Sequence, residues 1–210
     1  MITIIDYGVG NINAFVNVYK RVDVPVKIAK SKEDLIGAQK LILPGVGHFD
    51  HAMAQLNNSG MRETLDKLVL IDKIPVIGIC VGMQMLFDSS EESPGVAGLG
   101  VVAGEIKWLP EGVQRPQMQW NRLNIKNQDD LFAGLSENPW MYFVHSLSAV
   151  AKDQSVVVAT CSYGSELLAA LRLRNVFATQ FHPEKSATEG LRILENFLNS
   201  CTVAATSKSV

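Results

Sequence analysis

The sequence predicts an α/β fold: a mostly parallel central sheet flanked by helices, with antiparallel strands added from the second half. Two observations carry that expectation. Over residues 2–88, short runs rich in β-branched residues alternate with stretches whose apolar residues recur at helical spacing, the rhythm of parallel strands joined by crossover helices. From about Gly95 to Gln180 the helical periodicity fades, and β-like runs separated by turn residues add antiparallel strands and hairpins to the sheet edge. No linker, repeat or low-complexity tract divides the chain, so residues 1–201 read as one domain and 202–210 (TVAATSKSV) as a flexible tail.

The elements follow in order. Ile2–Ile5 is a buried strand that ends in the turn DYGVGN. Ile12, Phe15, Val16, Tyr19 and Val22 share one face of a helix over Asn11–Val22. Val26–Ala29 is a short strand, and Ser31 with Asp34 forms a capping box that opens a brief helix. Lys40–Leu43 is a continuous apolar strand stopped by Pro44-Gly45. Helices over Phe49–Leu56 and Met61–Ile71 lead to the strand Val76–Ile79, then Cys80, then a helix over Val81–Asp88. Later β-like runs are Glu105–Leu109, Trp120–Ile125, Tyr142–Val144, Val156–Thr160, Leu167–Leu173 and Val176–Gln180. Ala187–Asn199 is the last helix, with Leu191, Leu194, Phe197 and Leu198 on its buried stripe.

Composition narrows the function. The 210 residues are 47% hydrophobic and 19% charged, apolar enough to build a core. A net charge of −2 without a Lys/Arg stripe argues against nucleic acid as a partner. No apolar run reaches membrane-spanning length, and MITIIDYG lacks the features of a signal peptide, so no membrane partner and a cytoplasmic location are expected. The three cysteines, Cys80, Cys161 and Cys201, are odd in number, which suits a reducing compartment; the last two read as structural. The four histidines, His48, His51, His145 and His182, lack the spacing of metal ligands, and His48 and His51 read as surface or capping residues.

Two segments carry chemistry. In KIPVIGICVGMQMLFD, Cys80 lies between Gly78 and Gly82 where a strand-like run gives way to a helical one. That is the pattern of a nucleophile on a sharp strand-to-helix turn. A helix starting after Cys80 aims free amides and its positive end at the sulfur, which favours thiolate. In QFHPEKS, His182 and Glu184 are two positions apart. In an extended stretch they project to one side, so Glu184 can hold the imidazole while His182 takes the thiol proton. The competing local geometry is a helix start with Pro183 in its first turn, which is compatible with the same role. The glycines of Pro44-Gly45-Val46-Gly47 free the backbone to turn an amide toward an oxyanion, and the amide of Val81 is the natural second donor.

With DYGVGNI, LPGVGHFD, GICVGMQMLF, SEESPGVAGLG, YFVHS and QFHPEKS in this order and spacing, the chain resembles the class I (triad) glutamine amidotransferases from residue 2 to about 200. Within that class it is most similar to the glutaminase subunits of the histidine pathway. The resemblance implies hydrolysis of glutamine to glutamate and ammonia through a thioester on Cys80, with His182 as base and then acid, and Glu184 as its orienter. Val46, Gly47 and Val81 would form the oxyanion site, and Gly45, Gly47, Gln84, His145 and Ser146 would hold the substrate. It implies no bound cofactor or metal. It also implies a heterodimer with a (β/α)8-barrel cyclase subunit that receives the ammonia, with Met118 and Trp120 near the ammonia gate.

The family usually carries His-Met-Gly-Trp-Asn where this chain has Gln117-Met118-Gln119-Trp120-Asn121, and Tyr where Leu147 stands. These departures spare the triad and bear on the partner. Three alternatives stay open: a paralogous subunit supplying ammonia for amidino-sugars in surface polysaccharides, a non-catalytic activating subunit, and a cysteine peptidase or γ-glutamyl hydrolase.

Overall fold

The computed structural model describes residues 1–200; Cys201 and the tail expected at 202–210 lie outside the described residues. The first strand, β1 (Ile2–Ile5), is buried along its length and pairs in parallel with β2 (Val26–Ala29) on one side and β3 (Leu41–Gly45) on the other. Helix α1 (Ile12–Arg21) connects β1 to β2 and is capped by Asn11, whose side chain accepts from the amide of Ala14. Ser31 and Asp34 form the reciprocal capping box that the sequence predicts, closing a single 3₁₀ turn at Glu33–Leu35. Strand β3 does not stop at Leu43. Pro44 and Gly45 stay in register with Ile79 and Cys80, because a proline at a strand end loses only one ladder donor.

Helices α2 (Phe49–Asn58) and α3 (Arg62–Asp66) follow, and α3 widens into a π turn at Lys67–Ile71 rather than running on as one α-helix. Strand β4 (Val76–Cys80) carries the cysteine as its last residue, and α4 (Val81–Met85) is shorter than the predicted helix. Instead of extending α4, the amides of Gly100, Val101 and Val102 return to the carbonyls of Phe87 and Leu86.

The second half supplies β5 (Ser89–Ser90), β6 (Gly104–Trp108), β7 (Gln117–Arg122), β8 (Asn124–Ile125), β9 (Trp140–His145), β10 (Leu147–Ala151), β11 (Val157–Tyr163), β12 (Ser165–Leu173), β13 (Val176–Thr179) and the closing helix α5 (Ala187–Asn199). The main sheet runs β2-β1-β3-β4-β13-β12-β11-β8. Its first five strands are parallel, and β12, β11 and β8 continue it antiparallel. Two expectations change here. Strand β13 joins the parallel centre beside β4 rather than the edge, and β10-β6-β5 and β7-β9 form separate small sheets. The buried residues of α5 are Gly190, Ile193, Leu194 and Phe197; of the expected stripe Leu194 and Phe197 are buried, while Leu191 and Leu198 are only partly so. Phe177 of β13 meets Phe197 edge-on, with ring centroids 5.4 Å apart, and this contact helps seat α5 on the sheet.

Candidate active site

The crevice of an open α/β sheet lies beyond the carboxyl ends of its parallel strands. Here β3, β4 and β13 end side by side, with Gly45 opposite Cys80 and Ile79 opposite Thr179. Adjacent strands lie roughly 4.8 Å apart. The residues just after Thr179 therefore come alongside Cys80, although about a hundred residues separate them in the chain. This register brings the two chemical segments together.

Cys80 adopts φ 55°, ψ −112°, a backbone conformation that disfavours any side chain, and it is 4% exposed. The close packing around it excludes side chains next door. A Cβ on Gly82 would lie 2.0 Å from the Leu43 carbonyl oxygen, and one on Gly45 would lie 2.3 Å from the Gly82 nitrogen. Tyr7 secures the same corner, its hydroxyl donating to the Pro44 carbonyl oxygen at 2.6 Å. Burial, with the charge of Cys80 beside it, keeps that phenol protonated.

The Cys80 thiol points to the Val144 carbonyl at 3.8 Å and receives the Gln180 side-chain amide at 3.7 Å. Gln180 in turn accepts from Gln84 at 3.1 Å. His182 is 2% exposed, and its Nδ1 lies 2.7 Å from Glu184 Oε1. Among the described residues His182 Nε2 and Glu184 Oε2 have no hydrogen-bond partner. Burial works against the imidazolium. Attraction to the adjacent Cys80 sulfur, with the hydrogen bond and charge of Glu184, outweighs it and pushes the His182 pKa up to about 10. Nδ1 is thus committed to the carboxylate, and Nε2 remains for proton exchange with the neighbouring sulfur. The local geometry is the helix-start alternative: Pro183–Lys185 is a 3₁₀ turn rather than an extended stretch. Ser186 holds this turn, donating to the His182 carbonyl at 2.6 Å and accepting from the Tyr142 amide at 3.0 Å.

Cys80 and His182 share a cavity of about 380 Å³ with Val46, Gly47, His48, Val81, Gln84, Val144, His145, Ser146 and Leu147. Gly45 is not in this lining. It is buried in β3, and its lack of a side chain serves the close approach to α4. Gly47, at φ 82°, and Val46, 41% exposed, form part of the cavity rim. His145 is held inside the protein by both ring nitrogens: Nδ1 at 2.6 Å from the Leu147 carbonyl and Nε2 at 2.9 Å from Gln117 Oε1. Met118 and Trp120, 61% and 44% exposed, lie on the outer face of β7 and not in the cavity.

Sequence reasoning passed over Glu92, Trp108, Pro116 and Lys185 in the lining, and Gln180 behind the sulfur. Glu92 and Lys185 stand inside motifs already singled out, SEESPGVAGLG and QFHPEKS, whereas nothing in the sequence marks Trp108. Glu92 accepts from the Phe49 amide at 2.8 Å and meets His48 at 3.2 Å, so it caps α2 while facing the cavity. A larger groove of about 510 Å³ beside β8 holds no cysteine or histidine. Such an arrangement can perform acyl transfer: a strained thiol, a base fixed by a carboxylate, and backbone amides at a turn.

Comparison with known proteins agrees with that chemistry. Residues 3–201 match the family described as glutamine amidotransferase class-I. The chain is 50% identical over 202 residues to the imidazole glycerol phosphate synthase subunit HisH of Bdellovibrio bacteriovorus, covering 94% of this chain and 98% of that one. It is 42% identical over 198 residues to the protein of the same name from Methanocaldococcus jannaschii, with the same coverage. Among solved structures, a glutamine amidotransferase superposes with TM-score 0.75 at 23% identity, covering 94% of this chain and 97% of the other. PurLQS from Thermotoga maritima gives TM-score 0.74 at 19% identity with the same coverage. No helix among the described residues is long and apolar enough to cross a membrane. Matched along nearly all of its length, the chain belongs to the class I glutamine amidotransferases and is a glutamine amidotransferase enzyme.

Proposed function

We propose that this chain, as a single glutamine amidotransferase domain over residues 1–201, is the cytoplasmic glutaminase subunit of an imidazole glycerol phosphate synthase in histidine biosynthesis. The observation that carries the reading is the cavity shared by Cys80 and His182, with Glu184 holding His182 from behind, in a chain 50% identical to a HisH subunit. His182 Nε2 takes the thiol proton, and the sulfur attacks the γ-carboxamide carbon of glutamine. The amides of Val81 and of the Val46–Gly47 loop receive the oxyanion. The tetrahedral species collapses as His182 returns the proton to the leaving nitrogen, releasing ammonia and leaving a γ-glutamyl thioester on Cys80. His182 then activates a water that hydrolyses the thioester to glutamate and frees the thiol. Glu184 holds Nδ1–H throughout.

Glu92 is the acidic residue among those lining the cavity, which suits the substrate's α-ammonium, while Lys185 and His48 suit its α-carboxylate. Gln84 and the Ser146–Leu147 backbone complete the grip. Ammonia released to bulk water is protonated and lost as a nucleophile, so an acceptor must dock over the site. Met118, Trp120 and Trp140, each at least 44% exposed on the β7–β9 ribbon, offer apolar area for a (β/α)8-barrel cyclase partner. The test is to purify the chain with its co-transcribed barrel protein and ask which compound switches on glutamine turnover. Stimulation of kcat by orders of magnitude with the phosphorylated histidine precursor supports the proposal. Activation only by a nucleotide-linked sugar points to the amidino-sugar paralogue. Equal turnover with and without partner rejects coupling altogether.

A further inference from the structure

Gln117 is fully buried and stands directly opposite His145 in the β7–β9 ladder. It occupies the place where the motif usually has histidine, and it was expected to bear on the partner junction. The structure turns it inward instead, onto a histidine of the glutamine cavity. His145 is 6% exposed, packs against Phe143 with ring centroids 5.7 Å apart, and forms a wall of the cavity with Ser146 and Leu147. Its ring joins three strands: its own β9, β10 through the Leu147 carbonyl, and β7 through Gln117.

The hydrogen-bond inventory decides how the amide must sit. Burial, together with the charge of His182, holds the His145 pKa down at about 4, so near neutral pH the ring has one N–H. The Leu147 carbonyl can only accept, which places that hydrogen on Nδ1. Nε2 must then accept. In the structure Oε1 of Gln117 faces it at 2.9 Å, two acceptors in opposition, while the amide nitrogen of Gln117 has no partner among the described residues. A half-turn of the amide makes Gln117 the donor and moves the unmatched atom to an oxygen, which tolerates it better than a buried N–H does.

We propose that Gln117 is a positioning residue for the glutamine site: its amide nitrogen donates to Nε2 of an uncharged His145 and so braces the His145–Leu147 wall of the cavity. With both ring nitrogens engaged, His145 acts as a strut and not as an acid or base. This rests on the glutaminase reading of the cavity, but the tautomer can be measured without glutamine.

The experiment has two arms. Nitrogen-15 NMR of histidine-labelled protein at neutral pH should show His145 Nδ1 protonated and Nε2 unprotonated in the native chain, and both nitrogens protonated in Gln117→Glu, whose carboxylate accepts instead of donating. Glutaminase kinetics of the complex with its barrel partner should show KM rising about tenfold in Gln117→Leu with kcat within about twofold, because a wall that acts equally on ground and transition states changes KM alone. Gln117→His, which can again donate, should restore KM. A native Nε2 that carries a proton, or a Gln117→Leu enzyme with unchanged KM, overturns the proposal. A native complex that does not hydrolyse glutamine overturns the glutaminase reading and leaves the NMR result standing.

Discussion

Glu184→Gln removes one negative charge from beside the base and leaves an amide oxygen able to accept the same hydrogen bond. The 2.7 Å contact to His182 Nδ1 is buried, with both side chains at most 3% exposed, so solvent screens it little. A hydrogen bond to a charged partner contributes about 1.5–3 kcal/mol, equivalent to roughly ten- to a hundredfold in the equilibrium constant for moving the thiol proton onto His182. Cys80 stands ahead of Glu184 among the groups that raise the His182 pKa, so the substitution lowers that pKa without returning it to its unfolded value. The folded pKa of about 10 lies above the unfolded value of 6.5. The stability it contributes is therefore full below about 6.5 and is lost as pH rises toward 10. In Glu184→Gln that loss should be smaller and complete at lower pH, since the folded pKa drops while the unfolded value stays at 6.5. The assay is glutamate release by the activated complex, paired with the rate of Cys80 alkylation by iodoacetamide. Both should fall ten- to a hundredfold, roughly in parallel. A loss below about threefold in turnover would refute the orienting role of the carboxylate.

Further predictions concern the turn and the cavity wall. Gly82→Ala places a Cβ 2.0 Å from the Leu43 carbonyl oxygen and should destabilise the chain by more than about 3 kcal/mol in urea unfolding; a change under about 1 kcal/mol would contradict the packing described. Cys80→Gly should be more stable than Cys80→Ala by about 1–3 kcal/mol, since glycine accepts φ 55°, ψ −112° without strain; equal urea midpoints would remove the case for a strained elbow. His145, held at about 4 against 6.5 unfolded, should contribute roughly 3 kcal/mol that is present above pH 6.5 and lost as pH falls through 4. His145→Gln should flatten that dependence, and an unchanged slope would show that the ring is not the group responsible.

The alternation of β1, α1, β2, β3 and β4 was legible because each strand is a short apolar run and each helix has one apolar face. Cys80, His182 and Glu184 could be singled out because glycine, proline and thiol chemistry leave local marks. Pairing between distant strands leaves no such mark. Nothing in Val176–Thr179 says that it inserts beside β4 and not at the edge, although that insertion is what carries His182 to the sulfur. The early end of α4 was also hidden, since Leu86 and Phe87 continue its apolar face while their carbonyls are taken by Gly100, Val101 and Val102. Glu184 pairs with His182 from a 3₁₀ turn, because Pro183 suits the first turn of a helix as well as an extended strand. Trp108 reaches the cavity mouth through tertiary packing alone, from the outer end of β6.

A diazoketone analogue of glutamine, incubated with the complex and followed by peptide mass spectrometry, tests most directly whether one particular sulfur attacks the substrate. If Cys80 does so, one equivalent should attach to Cys80 as glutamine turnover disappears, while Cys161, whose pKa burial pushes up to about 12, stays unmodified. Loss of turnover with Cys80 unlabelled, or labelling that proceeds unchanged in His182→Asn, would contradict it.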